Sequence, residues 1–334
     1  MASSAGDRSL NDSPCVNWRV VAPNGPSLAY HAGCVIGGQL FVHGGIDKKH
    51  STTPLSNLYC LNIETSIWQQ IRVANTPCLS HHACIVLEDR YMTLIGGWDG
   101  HVRTSNVCVY DTLEKQWIFP RVTGFNAGAG LSSHTAMLLS SGDILVIGRE
   151  GSLRMQRRSG NAFLLRGSIQ KGAFTYSEYS LGVSSRSGHS ASIIGSTLYV
   201  IGGRADRLVE MHAGHKAAVT TPCGGFMSRL AMLEKRLSPM KKPPGGRKHH
   251  VAVSGGGVIF IHGGDTFDGR QREPVGDMFL YIKQSGQWFK LCTSSIGRAG
   301  HVCCCHGNRI MIHGGEGGRS VIHSDTYELE MGWT

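Results

Sequence analysis

Hydrophobic positions along this chain fall in short dense runs that restart about every fifty residues. Six histidines, His31, His82, His134, His189, His250 and His301, each open an apolar run. A second run ends 13 or 14 residues after each histidine at a glycine, namely Gly44, Gly96, Gly148, Gly202, Gly263 and Gly314. A second glycine follows in five copies, while Arg149 takes its place in the third. Successive glycines are 52, 52, 54, 61 and 51 residues apart, a period that marks a repeated supersecondary unit.

Each unit reads as four short strands. The runs entering the glycines, such as Val258-Ile259-Phe260-Ile261-His262, are nearly continuous in β-branched and aromatic residues, as in strands covered on both faces. The third strand carries Tyr59, Tyr110, Tyr281 or Tyr327, and the fourth carries Trp68, Trp117 or Trp288, whose rings suit a gap widening outward. Glycine pairs suit the place where sheets converge and a turn needs positive φ. Units of this kind close into a ring that removes exposed sheet edges. Trp18-Arg19-Val20-Val21 stands 13 residues before His31, as Trp288 stands 13 before His301, so it reads as a fourth strand without its first three. The last unit, ending near Asp325 to Leu329, lacks that fourth strand, and the two halves complete one blade. Trp333, as the start of a truncated fourth strand, is the rival closure.

Histidine-led run, glycine pair, Tyr and Trp at fixed offsets resemble kelch repeats over about 320 of the 334 residues. Gly130 to Thr135, Gly148 to Gly151, Gln156 to Arg158, Ser185 to His189 and Ile95 to Gly100 resemble one branch of that family. The expected fold is therefore all-β: a six-bladed kelch-type β-propeller with a basic, partly helical insertion in blade four. Residues 1–15 read as a loose tail and 16–334 as a single propeller, with residues 18–21 closing the last blade and the insertion spanning about 204–247. The resemblance implies protein recognition by loops on one face of the ring, and a cyclin among the partners. A substrate-recognition subunit of a ubiquitin ligase is an alternative. So is a metal-dependent enzyme on the same propeller, although the Tyr, Cys, Glu, Asp and His ligand groupings such enzymes need are not visible. No G-x-S-x-G elbow, H-E-x-x-H or phosphate-cradling loop occurs either, so the expectation is a binding protein without catalytic residues, metal or cofactor.

Charge departs from the repeat in one region. Between Arg204 and Lys248 the net charge is +7, against +3 for the remainder of the chain. Within it Phe226, Leu230, Leu233 and Leu237 stand at helical spacing between Gly224-Gly225 and Ser238-Pro239, which predicts an amphipathic helix on the rim. Arg229, Lys235, Arg236, Lys241 and Lys242 make it a candidate site for an acidic partner, or simply a solvated face. No aromatic residue interleaves with those charges, which argues against nucleic acid.

Three residues before the six histidines stand Leu28, Leu79, Leu131, Arg186, Arg247 and Arg298, a half-apolar, half-cationic set. Guanidinium forks match carboxylates, so the candidate ligand is an extended peptide with an acidic group or C-terminal carboxylate; bracing of each arginine's own loop is the competing role. Trp98 and Arg149, in the loops after the second strands, join the candidate surface, and Arg154, Arg157 and Arg158 follow. The repeat histidines, one per unit, sit too far apart for a shared ion and read as loop anchors. No apolar stretch approaches the roughly 20 residues that cross a bilayer. Eleven scattered cysteines without a C-x-x-C pair read as reduced thiols, and with no leader pattern the expected setting is cytoplasmic or nuclear.

Overall fold

The computed structural model describes residues 16–148, 161–180, 186–203, 209–210, 237–266, 273–293 and 296–331. They form mainly antiparallel sheets, most of them built from one repeat unit and ordered from an inner first strand to an outer fourth. In unit one the strands are Ala32–Ile36, Gln39–His43, Leu58–Asn62 and Ile67–Ile71. The second is Ala83–Leu87, Tyr91–Trp98, Arg103–Asp111 and Gln116–Ile118. Unit five repeats the order with Val251–Gly255, Val258–His262, Asp277–Ile282 and Gln287–Thr293.

The last blade is made from both ends of the chain. Val302–His306, Arg309–His313 and Thr326–Met331 are its inner strands, and Val16–Ala22 pairs antiparallel on the outside with Trp18 opposite Leu329. Arg309 fastens this blade to the first: its Nε and Nη2 donate to both oxygens of Glu328 at 2.9 Å, and its Nη1 donates to the Ile63 carbonyl at 3.0 Å.

Unit three departs from the plan. Its four strands, Thr135–Leu138, Ile144–Ile147, Asn161–Ser168 and Ala173–Ser180, gain a fifth, Arg121–Thr123, paired parallel to the outermost. The segment linking units two and three thereby covers the open edge of blade three, which would otherwise present unpaired backbone groups.

The expectation of a six-bladed propeller with four strands per blade is corrected in unit four. Among the described residues five blades of four or more strands form, whereas unit four yields only a three-stranded sheet of His189–Ile194, Thr197–Gly202 and the two-residue Val209–Glu210. The outer Tyr and Trp markers of units one, two and five are missing from its sequence, and a polar, basic stretch replaces them. The segment expected to be helical, Phe226 to Leu237, lies outside the described residues apart from Leu237, and the described residues contain no α-helix. The helical insertion is therefore unsupported.

Apolar clusters fill the seams between neighbouring blades. Cys34, Phe41, Leu58 and Cys60 of blade one interlock with Met92, Leu94, Tyr110 and Trp117 of blade two. At three seams a buried histidine ending a second strand is gripped by the next blade. His43 meets Trp117 and His82 at 5.3 and 5.1 Å between ring centres; His313 meets Trp68 and His31 at 4.5 and 5.5 Å; His262 meets Trp18 and His301 at 5.3 and 5.0 Å. The outer tryptophans thus reach across the gap as the widening wedge requires, Trp18 and Trp117 edge-on and Trp68 tilted, geometries that aromatic quadrupoles favour over a face-to-face stack. Cys34, Cys84 and Cys303 to Cys305 are not joined in disulfides.

Candidate partner-binding face

The hairpin turns between first and second strands emerge on one face of the ring. The opposite face carries the connections from each unit to the next, and among the described residues those just ahead of the first strands meet around the axis. One residue before each repeat histidine, Tyr30, His81, Ser133, Gly188, His249 and Gly300 all adopt left-handed backbone, with φ from 52° to 69°. Each donates its amide to the carbonyl of its counterpart one unit back. Tyr30 donates to Gly300, His81 to Tyr30 and Ser133 to His81 at 2.7, 2.8 and 2.9 Å; Gly188 donates to Ser133, His249 to Gly188 and Gly300 to His249 at 2.7, 2.7 and 2.8 Å. The result is a closed circle of six peptide hydrogen bonds. Left-handed backbone costs a residue with a side chain roughly 1–2 kcal/mol, and the circle supplies the partners that hold it. Gly300 is required for a second reason, since a Cβ there would lie 2.5 Å from the Tyr30 ring.

Three ring residues form an aromatic group at the mouth of the axis. Tyr30 stacks on His81 at 4.4 Å and meets His249 edge-on at 5.0 Å. The Tyr30 hydroxyl donates to Glu316 at 3.1 Å, and burial together with the carboxylates of Glu316 and Asp265 pushes its pKa far above the ordinary phenol value. Lys49 pairs with Glu316 at 2.8 Å and Lys248 with Asp265 at 3.4 Å. Burial, with His249, Arg103 and Lys248 nearby, holds His81 neutral well below the usual imidazole range. Sequence reasoning missed this group. A signal was present in the aromatic residue directly before the repeat histidine in units one, two and five.

The predicted arginines lie elsewhere. Arg186, Arg247 and Arg298 are buried, and each Nη1 donates to the carbonyl of its own unit's first glycine, Gly202, Gly263 or Gly314, at 2.9, 2.9 and 2.7 Å. Arg298 adds an ion pair to Asp325 at 2.6 Å, and Arg247 stands 3.9 Å from Asp277. Of the two roles the sequence left open for these guanidinium groups, receptor for a partner's carboxylate or brace of the arginine's own loop, the inward-facing forks match the brace.

Leu28, Leu79 and Leu131 occupy the same station and are buried core. What all these positions share is the main chain. Carbonyls of Leu28, Leu79, Leu131, Arg247 and Arg298 accept from the second glycine, or its equivalent, of the preceding unit at 2.7–2.9 Å, latching blade to blade.

Trp98 does stand on the loop face, half-buried, its indole N–H donating to the Thr52 carbonyl at 2.7 Å. With His101, Arg103, Asn106 and Gly128 it walls a hollow of about 370 Å³ between units two and three. Lys241 and Lys242 are exposed on the loop entering blade five. Arg149, Arg229, Lys235 and Arg236 lie outside the described residues.

Ion pairs occur on both faces. Near the hairpin turns Arg90 pairs with Asp111 at 2.6 Å, Arg166 with Asp143 at 3.1 Å and Arg309 with Glu328 at 2.9 Å, while Lys290 adds a pair to Asp277 at 2.9 Å beside those of Lys49, Lys248 and Arg298. In the sequence the positive charge is concentrated between Arg204 and Lys248, which holds +7 of the net +10. Among the described residues no group of three or more His, Cys, Asp or Glu side chains is placed to hold a metal ion. No helix of the described residues is long and apolar enough to cross a membrane.

Residues 10–163 and 178–333 match the model of the KLHDC2/KLHL20/DRC7 kelch-repeats domain. Kelch domain-containing protein 9 of Homo sapiens is 27% identical over 90% of this chain and 91% of its own length. Kelch domain-containing protein 3 of Homo sapiens is 24% identical over 90% of this chain and 80% of its own. Among solved structures, that of YjhT superposes with a TM-score of 0.67 at 15% identity, covering 93% of this chain and 99% of the other; it shares the fold.

Proposed function

From the premise that this chain belongs to the kelch-repeat family, we propose that it is a non-enzymatic binding protein that takes an acidic segment of a partner protein on its loop face. The observation that carries this reading is the exposed cation pair Lys241 and Lys242 on the loop entering blade five, at the end of a sequence segment, Arg204 to Lys248, with a net charge of +7. Such a surface steers an acidic partner and discriminates against a basic one. The hollow beside Trp98 offers an anchor for one apolar side chain of the bound segment. The inward-facing arginines and buried histidines hold the loops in place and leave recognition to the rim. A cyclin, the partner the sequence resemblance suggests, or in the alternative reading a substrate presented to a ubiquitin ligase, would meet the same surface.

The test uses an array of extended peptides, acidic, neutral and basic, probed with the purified full chain at 50 and 300 mM salt. Acidic members should bind selectively and weaken several-fold at the higher salt, since exposed charges are screened. The double charge reversal Lys241→Glu with Lys242→Glu should reduce binding about tenfold while leaving thermal unfolding unchanged, and Trp98→Ala should weaken apolar-anchored members most. Equal binding of basic and acidic peptides, or a reversal without effect, would sink the reading.

A further inference from the structure

Five hydroxyl residues stand directly before a proline, namely Ser13, Thr53, Thr76, Thr221 and Ser238, and only Ser238 has a basic residue three places on, Lys241. Thr53, Thr76 and Ser238 are among the described residues. The Thr76 hydroxyl donates to the Val73 carbonyl at 2.8 Å and accepts from the Trp117 indole at 3.1 Å. Thr53 precedes a buried proline, Pro54. Ser238 and Pro239 are both exposed, and the Ser238 hydroxyl makes no hydrogen bond among the described residues.

The fold presents this serine on a held, open segment. Proline keeps the residue before it in extended backbone, and residues 237–246 run as neither helix nor strand. Two side chains peg the segment to blade five: Leu237 packs on the cluster of Phe260, Leu280 and Phe289, and Met240 on that of Phe279, Tyr281 and Trp288. The Met240 amide donates to the Trp288 carbonyl on the blade's outer strand at 2.7 Å. Ser238 and Pro239 lie between the pegs and face solvent, and the exposed Lys241 and Lys242 follow.

We propose that Ser238 is the acceptor of a proline-directed protein kinase, and that its phosphate cancels the charge of Lys241 and Lys242 and releases the acidic partner. The second half rests on the proposed function. A kinase pocket that offers the next residue's amide no acceptor admits proline at little cost, because proline has no N–H to strand. An acidic group on the kinase answers Lys241. In the step itself the Ser238 oxygen bonds to the γ-phosphorus of ATP as the bond to the bridging oxygen breaks. ADP leaves, and the hydroxyl proton passes to the kinase's catalytic aspartate. The product carries about −1.5 to −2 charges at neutral pH, which matches the lysine pair in size. Lys241 lies no more than about 11 Å away along an extended chain, near the Debye length of ~8 Å.

The full chain is incubated with Mg–ATP and a purified proline-directed kinase, and phosphate is mapped by mass spectrometry. Because Lys235 and Arg236 precede the serine, a parallel arm uses a kinase that reads basic residues ahead of its acceptor. The proline-directed kinase should modify Ser238 about tenfold faster than Thr53 or Thr76, and Pro239→Ala should lower that rate about tenfold. Lys241→Ala should lower it several-fold. Equal rates at the three sites, a Pro239→Ala variant modified as fast as the parent, or modification of Ser238 by the other kinase alone would overturn the assignment. A fluorescent octaglutamate peptide at 50 mM salt reads the consequence. Phosphorylated chain should bind it about tenfold more weakly than unmodified chain, and Ser238→Ala taken through the same treatment should bind as the unmodified chain does. Equal affinity before and after phosphorylation would overturn the switch. If the unmodified chain does not bind the peptide, the proposed function fails and the switch with it, whereas the mapping alone decides the acceptor.

Discussion

Nine histidines, His31, His43, His82, His134, His189, His250, His262, His301 and His313, are buried, the repeat set around the axis and the others in the blade seams. Desolvation holds every one of them below the usual imidazole range, with His43 and His134 at about 4 and His189, His262 and His313 at about 3. For His31, His82, His250 and His301 the shift is also strongly downward. In the unfolded chain the same groups titrate near 6.5. The unfolded state therefore binds more protons below that value. Stability is complete above pH 7 and is lost as the pH falls from about 6.5 toward the folded values. By linkage each histidine forfeits about 0.8 kcal/mol at pH 6.0 and about 1.4 kcal/mol at pH 5.5. Nine together forfeit about 8 and about 13 kcal/mol, comparable with the roughly 5–15 kcal/mol that a folded domain commands. Unfolding followed by tryptophan fluorescence and circular dichroism, at constant ionic strength, should thus show a cooperative acid transition between pH 5 and 6 with uptake of several protons. A chain equally stable at pH 7 and pH 5 would refute the premise that the folded ring holds these imidazoles neutral.

Two further outcomes follow from the same contacts. Gly44 and Gly37 share left-handed backbone, with φ of 67° and 57°, but a Cβ on Gly44 would lie 2.2 Å from the Leu79 carbonyl whereas one on Gly37 would meet nothing within 4 Å. Gly37→Ala should therefore cost about 1 kcal/mol from backbone strain alone, and Gly44→Ala about 3 kcal/mol or more because blade two must also shift; equal losses in urea titration would contradict the seam geometry. Arg298→Ala strips the Gly314 carbonyl and Asp325 of a buried partner and should destabilise by about 3 kcal/mol, while acidic-peptide affinity at a temperature where the variant stays folded remains unchanged; lost affinity in the folded variant would return the arginine to the binding surface.

Features that repeat locally could be read from residue order alone. The histidine-to-glycine spacing and the β-branched second strands are written in every unit, and the Tyr and Trp offsets in units one, two and five, so they needed no knowledge of neighbouring units. The strand around Trp18 was legible for the same reason, since its place in a unit could be recognised and the last unit lacked its fourth strand. Unit four was less legible because its outer strands lost those markers.

Tertiary structure decided the rest. Arg186, Arg247 and Arg298 looked like an exposed cationic arc in the sequence, but exposure is a property of the seam, and the glycine carbonyls that capture them are 16 residues away in the chain. Tyr30, His81 and His249 are separated by one or several whole units and become neighbours only when the ring closes. The strap Arg121–Thr123 pairs parallel with a strand of the following blade, a register no local periodicity encodes. Contacts within a unit follow from its own side-chain period, whereas contacts between units depend on how many units close the circle and at what angle, and that is settled by packing all of them at once.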